Sequence, residues 1–199
     1  MQYSEEMVNK IIIRGRIVAE SYRQDGSCMV TLISRSGRDV FARVICAPGM
    51  LPEHKDHARL YIKGHFELKA ETPFNSRKKR IIQQIVADEV VIDSTMAEDV
   101  FGIKGKFFYP FECAAHLKGI IKSVKDEGEW VRYSLEVGKQ GKAQTPIILR
   151  TSIKKLDRHP DIKKDDKVCM ICGISTPKKT HNEKNIHYED IIIVDIAKY

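Results

Sequence analysis

Phe41 and Arg43 stand two residues apart in the run Val40-Phe41-Ala42-Arg43-Val44. Side chains alternate faces along an extended chain, so a ring and a guanidinium at this spacing project on the same side. A flat π surface stacks on other planar rings, and a guanidinium holds phosphate through two parallel hydrogen bonds. The pair therefore suits a ligand that is both aromatic and anionic. Phe74, followed closely by Arg77-Lys78-Lys79-Arg80, repeats the combination at higher charge. Arg14 and Arg16 share one face of an earlier run whose other face is Ile11, Ile13, Gly15 and Ile17. Trp130, the only tryptophan, and the pair Lys178-Lys179 supply a further ring and further cations later in the chain. Each has a plainer role open to it: a covered surface ring, a solvated strand face, a solvated hairpin tip.

Catalytic and metal chemistry find little footing. The seven histidines are dispersed, and His54, His57 and His65 show no partnered acid or nucleophile pattern. No GxSxG, HExxH, Walker-type or GxGxxG context appears, and Arg35-Ser36-Gly37-Arg38 reads as a hairpin turn. Cys169-Met-Ile-Cys172 is formally a CxxC pair, but it lies in a strand-like run. Residues three apart on a strand face opposite sides, so they do not readily share one metal. The expectation is buried strand thiols, no metal, no cofactor and no enzyme activity.

The 34 Lys and Arg against 27 Asp and Glu leave a formal charge of +7. The excess is uneven: residues 1–100 carry 15 basic and 14 acidic residues, and residues 101–199 carry 19 and 13. A moderate positive charge favours a polyanionic partner. Apolar residues make up 42%, enough for a packed core or two. The longest apolar runs, Ile11-Ile12-Ile13 and Ile191 to Val194, are strand-sized rather than membrane-sized. With a polar, acidic N-terminus and an odd number of scattered cysteines, a cytoplasmic protein without a disulfide framework is expected.

The elements that must position these groups recur twice. Asn9 to Gly15 and Ala115 to Ile121 each lead into a charged turn, Gln24-Asp25-Gly26 in one and Asp126-Glu127-Gly128 in the other. An alternating strand follows in each, Met29 to Ser34 and Val131 to Val137, and then a third, Asp39 to Cys46 and Thr145 to Thr151. Lys55-Asp56 matches Lys164-Asp165, and Gly64 matches Gly173 at the same spacing. Each copy ends on a strand, Val90 to Asp93 and Ile192 to Asp195. The period-2 patterning with Gly and Asp turns is that of strands. The order predicts an all-β protein of two tandem five-stranded OB-type barrels, each with a short helix between its third and fourth strands, at Leu51 to His57 and Leu156 to Asp161. The predicted division is 1–94, 95–112 and 113–199. The middle segment is rich in aromatics, with Phe101, Phe107, Phe108, Tyr109 and Phe111, and is expected to pack against a barrel or a second subunit.

The first copy resembles the bacterial single-stranded DNA-binding proteins, through Val8 to Arg16, Phe41 to Val44, Leu60 to Gly64 and Ile85 to Val90. The resemblance implies an OB-fold, single-stranded DNA as the partner, and an assembly that presents four OB-folds. Phe41 stands where the family has an aromatic, often tryptophan, and Arg43 where it has arginine. Two departures stand out. The chain ends Asp195-Ile196-Ala197-Lys198-Tyr199 without the family's acidic, Phe-terminated tail, so any replication or repair partners are expected to dock by another route. The second copy has Pro146 or Ile147 in place of Phe41.

The fourth strands also differ. Arg59, Tyr61, Lys63 and His65 are expected on the non-core face of the first, and Val168, Met170 and Cys172 on that of the second, with Cys169 and Ile171 inward. An apolar outer face implies a contact between copies or subunits. The expected protein is a homodimer with two barrels per chain that binds and protects single-stranded DNA in replication, recombination or repair. Arg14, Arg16, Phe41, Arg43, Phe74, Arg77 to Arg80, Trp130, Lys178 and Lys179 would line its groove. A primosome-type adaptor that mainly contacts other proteins, and an RNA-binding OB protein, are the alternatives.

Overall fold

The computed structural model describes residues 7–35, 39–53, 55, 58–71, 80–93, 113–139, 142–152, 161–175, 178–181, 184–187 and 190–199. The period-2 patterns become strands. The first five are β1 (Val8–Tyr22), β2 (Cys28–Arg35), β3 (Asp39–Cys46), β4 (Arg59–Glu71) and β5 (Arg80–Ile92). The rest are β6 (Cys113–Asp126), β7 (Trp130–Lys139), β8 (Lys142–Ser152), β9 (Lys167–Ser175), β10 (Lys178–His181), β11 (Lys184–His187) and β12 (Asp190–Lys198). Ten strands join in one sheet, in the order β2-β3-β5-β4-β1-β6-β7-β8-β12-β9, with β2–β1 and β6–β9 as additional pairings. The hairpin β10–β11 stands apart.

The same series of pairings occurs twice. β1 pairs with β2, β2 with β3, β3 with β5 in parallel, β5 with β4, and β4 with β1. β6 pairs with β7, β7 with β8, β8 with β12 in parallel, β12 with β9, and β9 with β6. This connectivity is consistent with the OB-fold. Inside the first series lie Ile11, Ile13, Val30, Leu32, Ala42, Val44, Leu60, Ile62, Phe66 and Ile85, all no more than 2% exposed. Leu117, Ile121, Leu135, Val137, Val168, Met170, Cys172 and Ile193 are buried likewise in the second.

A glycine and a bulge let one long strand serve several partners. β1 faces β4 over Ile11–Arg16, then β2 over Arg16–Tyr22. At the handover a Cβ on Gly15 would meet the Ile33 carbonyl oxygen at 2.6 Å, and the register shifts between Ile17 and Ala19. β6 does the same: a Cβ on Gly119 would strike the Glu136 carbonyl, and the shift falls between Ile121 and Ser123. Only glycine permits such an approach, and the bulge bends the strand toward its next neighbour. The edge ahead of each handover would otherwise be unpaired. β1 and β6 satisfy one another there, antiparallel, from Val8 opposite Lys118 to Ile13 opposite Cys113. That removes two open edges of the kind that invites aggregation.

Two expectations need correction. No helix occurs among the described residues. In the first link, turns are closed by Met50 N–H donating to the Ala47 carbonyl and Ala58 N–H to the Lys55 carbonyl. Gly49 sits at φ 74. Leu51 packs on the core, but the positions three and four beyond it are His54 and Lys55, so there is no apolar stripe to dock so short a helix. Most of the second expected link, and the segment 95–112, lie outside the described residues.

The second correction concerns Val168, Met170 and Cys172. They are core residues, at most 1% exposed, whereas Cys169 is exposed. The pairing register explains the inversion. Ile13 faces Ile62 and Gly15 faces Leu60; Leu117 faces Met170 and Gly119 faces Val168. Leu60 and Ile62 are therefore equivalent to Val168 and Met170. Matching Gly64 to Gly173 slides β9 by one residue, and a one-residue slip exchanges the two faces of a strand. The apolar outer face disappears, and with it the interface assigned to these three residues.

His65 keeps the outward side of β4 that its place in the alternation predicts, yet it is only 7% exposed and stands outside the core cluster that takes in Phe66. The register of β4 on β5 shifts between Lys63 and Gly64 by one extra residue of β5, Asp88. His65 Nδ1 lies 2.9 Å from an Asp88 carboxylate oxygen, a partnered acid that sequence spacing concealed.

Candidate nucleic-acid interface

β3 alternates as its sequence dictates. Ala42, Val44 and Cys46 are fully buried, while Phe41 is 39% exposed on the other face. Register then assembles the outer surface in rows. Phe41 faces Ile33 on β2, and Ile33 faces Arg16 on β1. Arg43 faces Thr31, and Ile45 faces Met29. The ring, the isoleucine and an exposed arginine thus lie side by side across three strands. Directly opposed side chains sit about 4.5–5.5 Å apart at Cβ, close enough for one bound nucleotide to touch two of them. Arg43 lies half-buried along β2, with Nη2 donating to Met29 Sδ at 3.0 Å. A thioether is a weak acceptor, so an arriving phosphate outcompetes it readily.

Arg14 points the same way as Arg16 but leans to β4. Its guanidinium carbon lies 5.0 Å from the centre of the Tyr61 ring, and its Nε is 3.8 Å from an Asp93 carboxylate oxygen. Lys63 approaches the same ring at 5.7 Å and pairs with Glu89 at 2.6 Å. Burial holds the Arg59 guanidinium below the ordinary arginine pKa; Asp93 opposes that shift, while Arg14 and Arg16 add to it. The structure thus brings Arg16, Phe41 and Arg43 to one surface and sets Arg14 beside it with Arg59 and Tyr61. Ile33, Thr31 and Met29 complete the surface. Their signal was the alternation along β2 against buried Val30 and Leu32, but only the register shows which of them adjoins Phe41.

Trp130 opens β7, half-buried, opposite Ser152. Nearby cations are committed to carboxylates: Lys122 to Glu136 at 2.8 Å, Arg132 to Glu127 at 2.9 Å, and Lys125 to Glu127 at 3.5 Å. Phe74, Arg77, Lys78 and Lys79 lie outside the described residues. Arg80 starts β5, and Lys178 and Lys179 start β10, their side chains lying outside the described set. Among the described residues no three of His, Cys, Asp and Glu converge as a metal site. Cys169 and Cys172 fall on opposite faces, one exposed and one buried. No helix of the described residues is long and apolar enough to cross a membrane.

The strand series defines a class, the all-β proteins, and its connectivity is consistent with the OB-fold. Within that class the chain has the fold of the single-stranded DNA binding protein from Thermus aquaticus. The wild-type structure of that protein superposes with a TM-score of 0.61 at 12% identity, over 98% of this chain and 94% of that one. A deletion mutant of it gives 0.62 at 11% identity, over 98% and 95%. No family model and no curated protein matches the sequence.

Proposed function

We propose that this chain binds single-stranded DNA and coats it stoichiometrically in replication, recombination or repair, without catalysing a reaction. The observation that carries this is the row Phe41–Ile33–Arg16 with Arg43 beside it. It places a stacking ring next to two cations on an outer sheet face. Such a surface suits unpaired bases, whose faces are open, and a phosphate backbone that arginines track. The likeness in fold to a single-stranded DNA binding protein supports the same reading.

In this reading residues 1–94 and 113–199 are tandem OB-type barrels joined by 95–112. The chain acts in the cytoplasm as a homodimer presenting four barrels. Phe74, Arg77 to Arg80, Lys178 and Lys179 extend the groove, and Trp130 adds a second platform. The adaptor alternative loses its main support, because Val168, Met170 and Cys172 are core rather than surface. RNA competition decides the remaining alternative.

The test is fluorescence anisotropy of labelled oligo(dT) and labelled duplex, titrated with protein at several salt concentrations. The chain should bind oligo(dT) tightly at low salt, more weakly as salt rises, and in preference to duplex. Phe41→Ala should weaken binding about tenfold, since one base stack is worth about 1–3 kcal/mol. Absence of oligo(dT) binding at low salt overturns the proposal.

A further inference from the structure

Arg14, Arg16 and Arg59 converge on one corner of the outer sheet where β1 meets β4. Arg16 directly faces Arg59, and Arg14 faces Tyr61. Both Arg14 and Arg16 bear electrostatically on Arg59. Asp93, whose side chain is only 7% exposed, lies 3.8 Å from Arg14. The neighbouring Lys63–Glu89 pair is neutral as a unit. Arg16 takes no ion-pair partner among the described residues. Like charges at this spacing repel, and burial of Arg59 weakens the screening. An ordinary surface would separate such groups. Here they are held: Arg14 by the Tyr61 face, at 5.0 Å, and Arg59 by partial burial.

We infer that Arg14, Arg16 and Arg59, with Tyr61 as their backing ring, form a phosphodiester-binding subsite. It carries the strand from the Phe41 surface across β1 to the β4 side. This rests on the proposed function and extends it. Arg16 is the link, because it adjoins Ile33 on one side and Arg59 on the other. Arginine rather than lysine fits the task, since its planar fork grips phosphate oxygens in pairs. A second copy of the chain is the less suitable occupant. A two-fold contact lays a patch upon its own copy, which here sets arginines against arginines.

The experiment compares the salt dependence of oligo(dT) binding for the full chain and for R16Q, R59Q and R16Q/R59Q, with sedimentation velocity alongside. Each lost phosphate contact lowers the slope of log affinity against log salt by about 0.7 on single strands. The double variant should therefore lose about 1.4 from the slope, and F41A should weaken binding with the slope kept. R16Q alters an exposed side chain, so it keeps the test decisive if R59Q misfolds. A slope and affinity equal to wild type in R16Q overturn the inference while leaving the binding function intact. So does a change in sedimentation with an unchanged slope, which would assign the corner to a contact between copies. If the unsubstituted chain fails to bind oligo(dT), function and subsite fall together.

Discussion

At the scale of single residues, chemistry depends on which face a side chain takes and what stands beside it. Phe41 and Arg43 share a face because they are two apart on a strand. Their usefulness depends on Ile33 and Met29, which come from another strand. The cysteines show the same rule in reverse. Cys28, Cys46, Cys113 and Cys172 are buried and Cys169 is exposed. Burial pushes the Cys46 thiol up to about 12 and the Cys113 thiol up to about 11, and thiolate is the reactive form. In the native protein at neutral pH, a disulfide reagent such as DTNB should modify one thiol quickly, at Cys169. The others should react only after denaturation, and C169S should abolish the fast phase. Two or more fast equivalents would contradict the assigned burial.

At the scale of elements, strands were legible and their registers were not. Alternation of Ile11, Ile13 and Gly15 against Arg14 and Arg16 gave the correct faces of β1, because no bulge intervenes before Ile17. In β4 the same alternation holds past Lys63, because the extra residue of the bulge, Asp88, lies on β5, where it meets the outward His65. In β9 a matched glycine suggested the wrong register by one residue. Bulges and slips are set by partners distant in sequence, so local pattern cannot reveal them. The corrected register has a measurable consequence. Met170→Ala should destabilise the protein by about 2–5 kcal/mol, as for other buried large-to-small changes, with sedimentation unchanged. Denaturant unfolding measures the first and ultracentrifugation the second. Unchanged stability with altered assembly would return Met170 to a surface. The expected helix at Leu51 to His57 rested on fold analogy, and its residues lack the apolar spacing to support one.

At the scale of the whole molecule, the duplicated order of strands was readable because each copy repeats its charged turns and its alternating runs. The junction was not. β1 and β6 join over Val8–Ile13 and Cys113–Lys118, and nothing local in either strand names the other. The junction makes ten strands one sheet, with β2 and β3, which carry the Phe41 surface, first in the strand order. That surface is where the central claim rests. The most direct test is photocrosslinking of an oligo(dT) carrying 5-iododeoxyuridine, with adducts located by mass spectrometry. The expected result is a dominant adduct on Phe41, lost in F41A and competed by unlabelled oligo(dT). Adducts confined to the β9–β12 side, or unaltered by F41A, would contradict the placement of the DNA-binding surface.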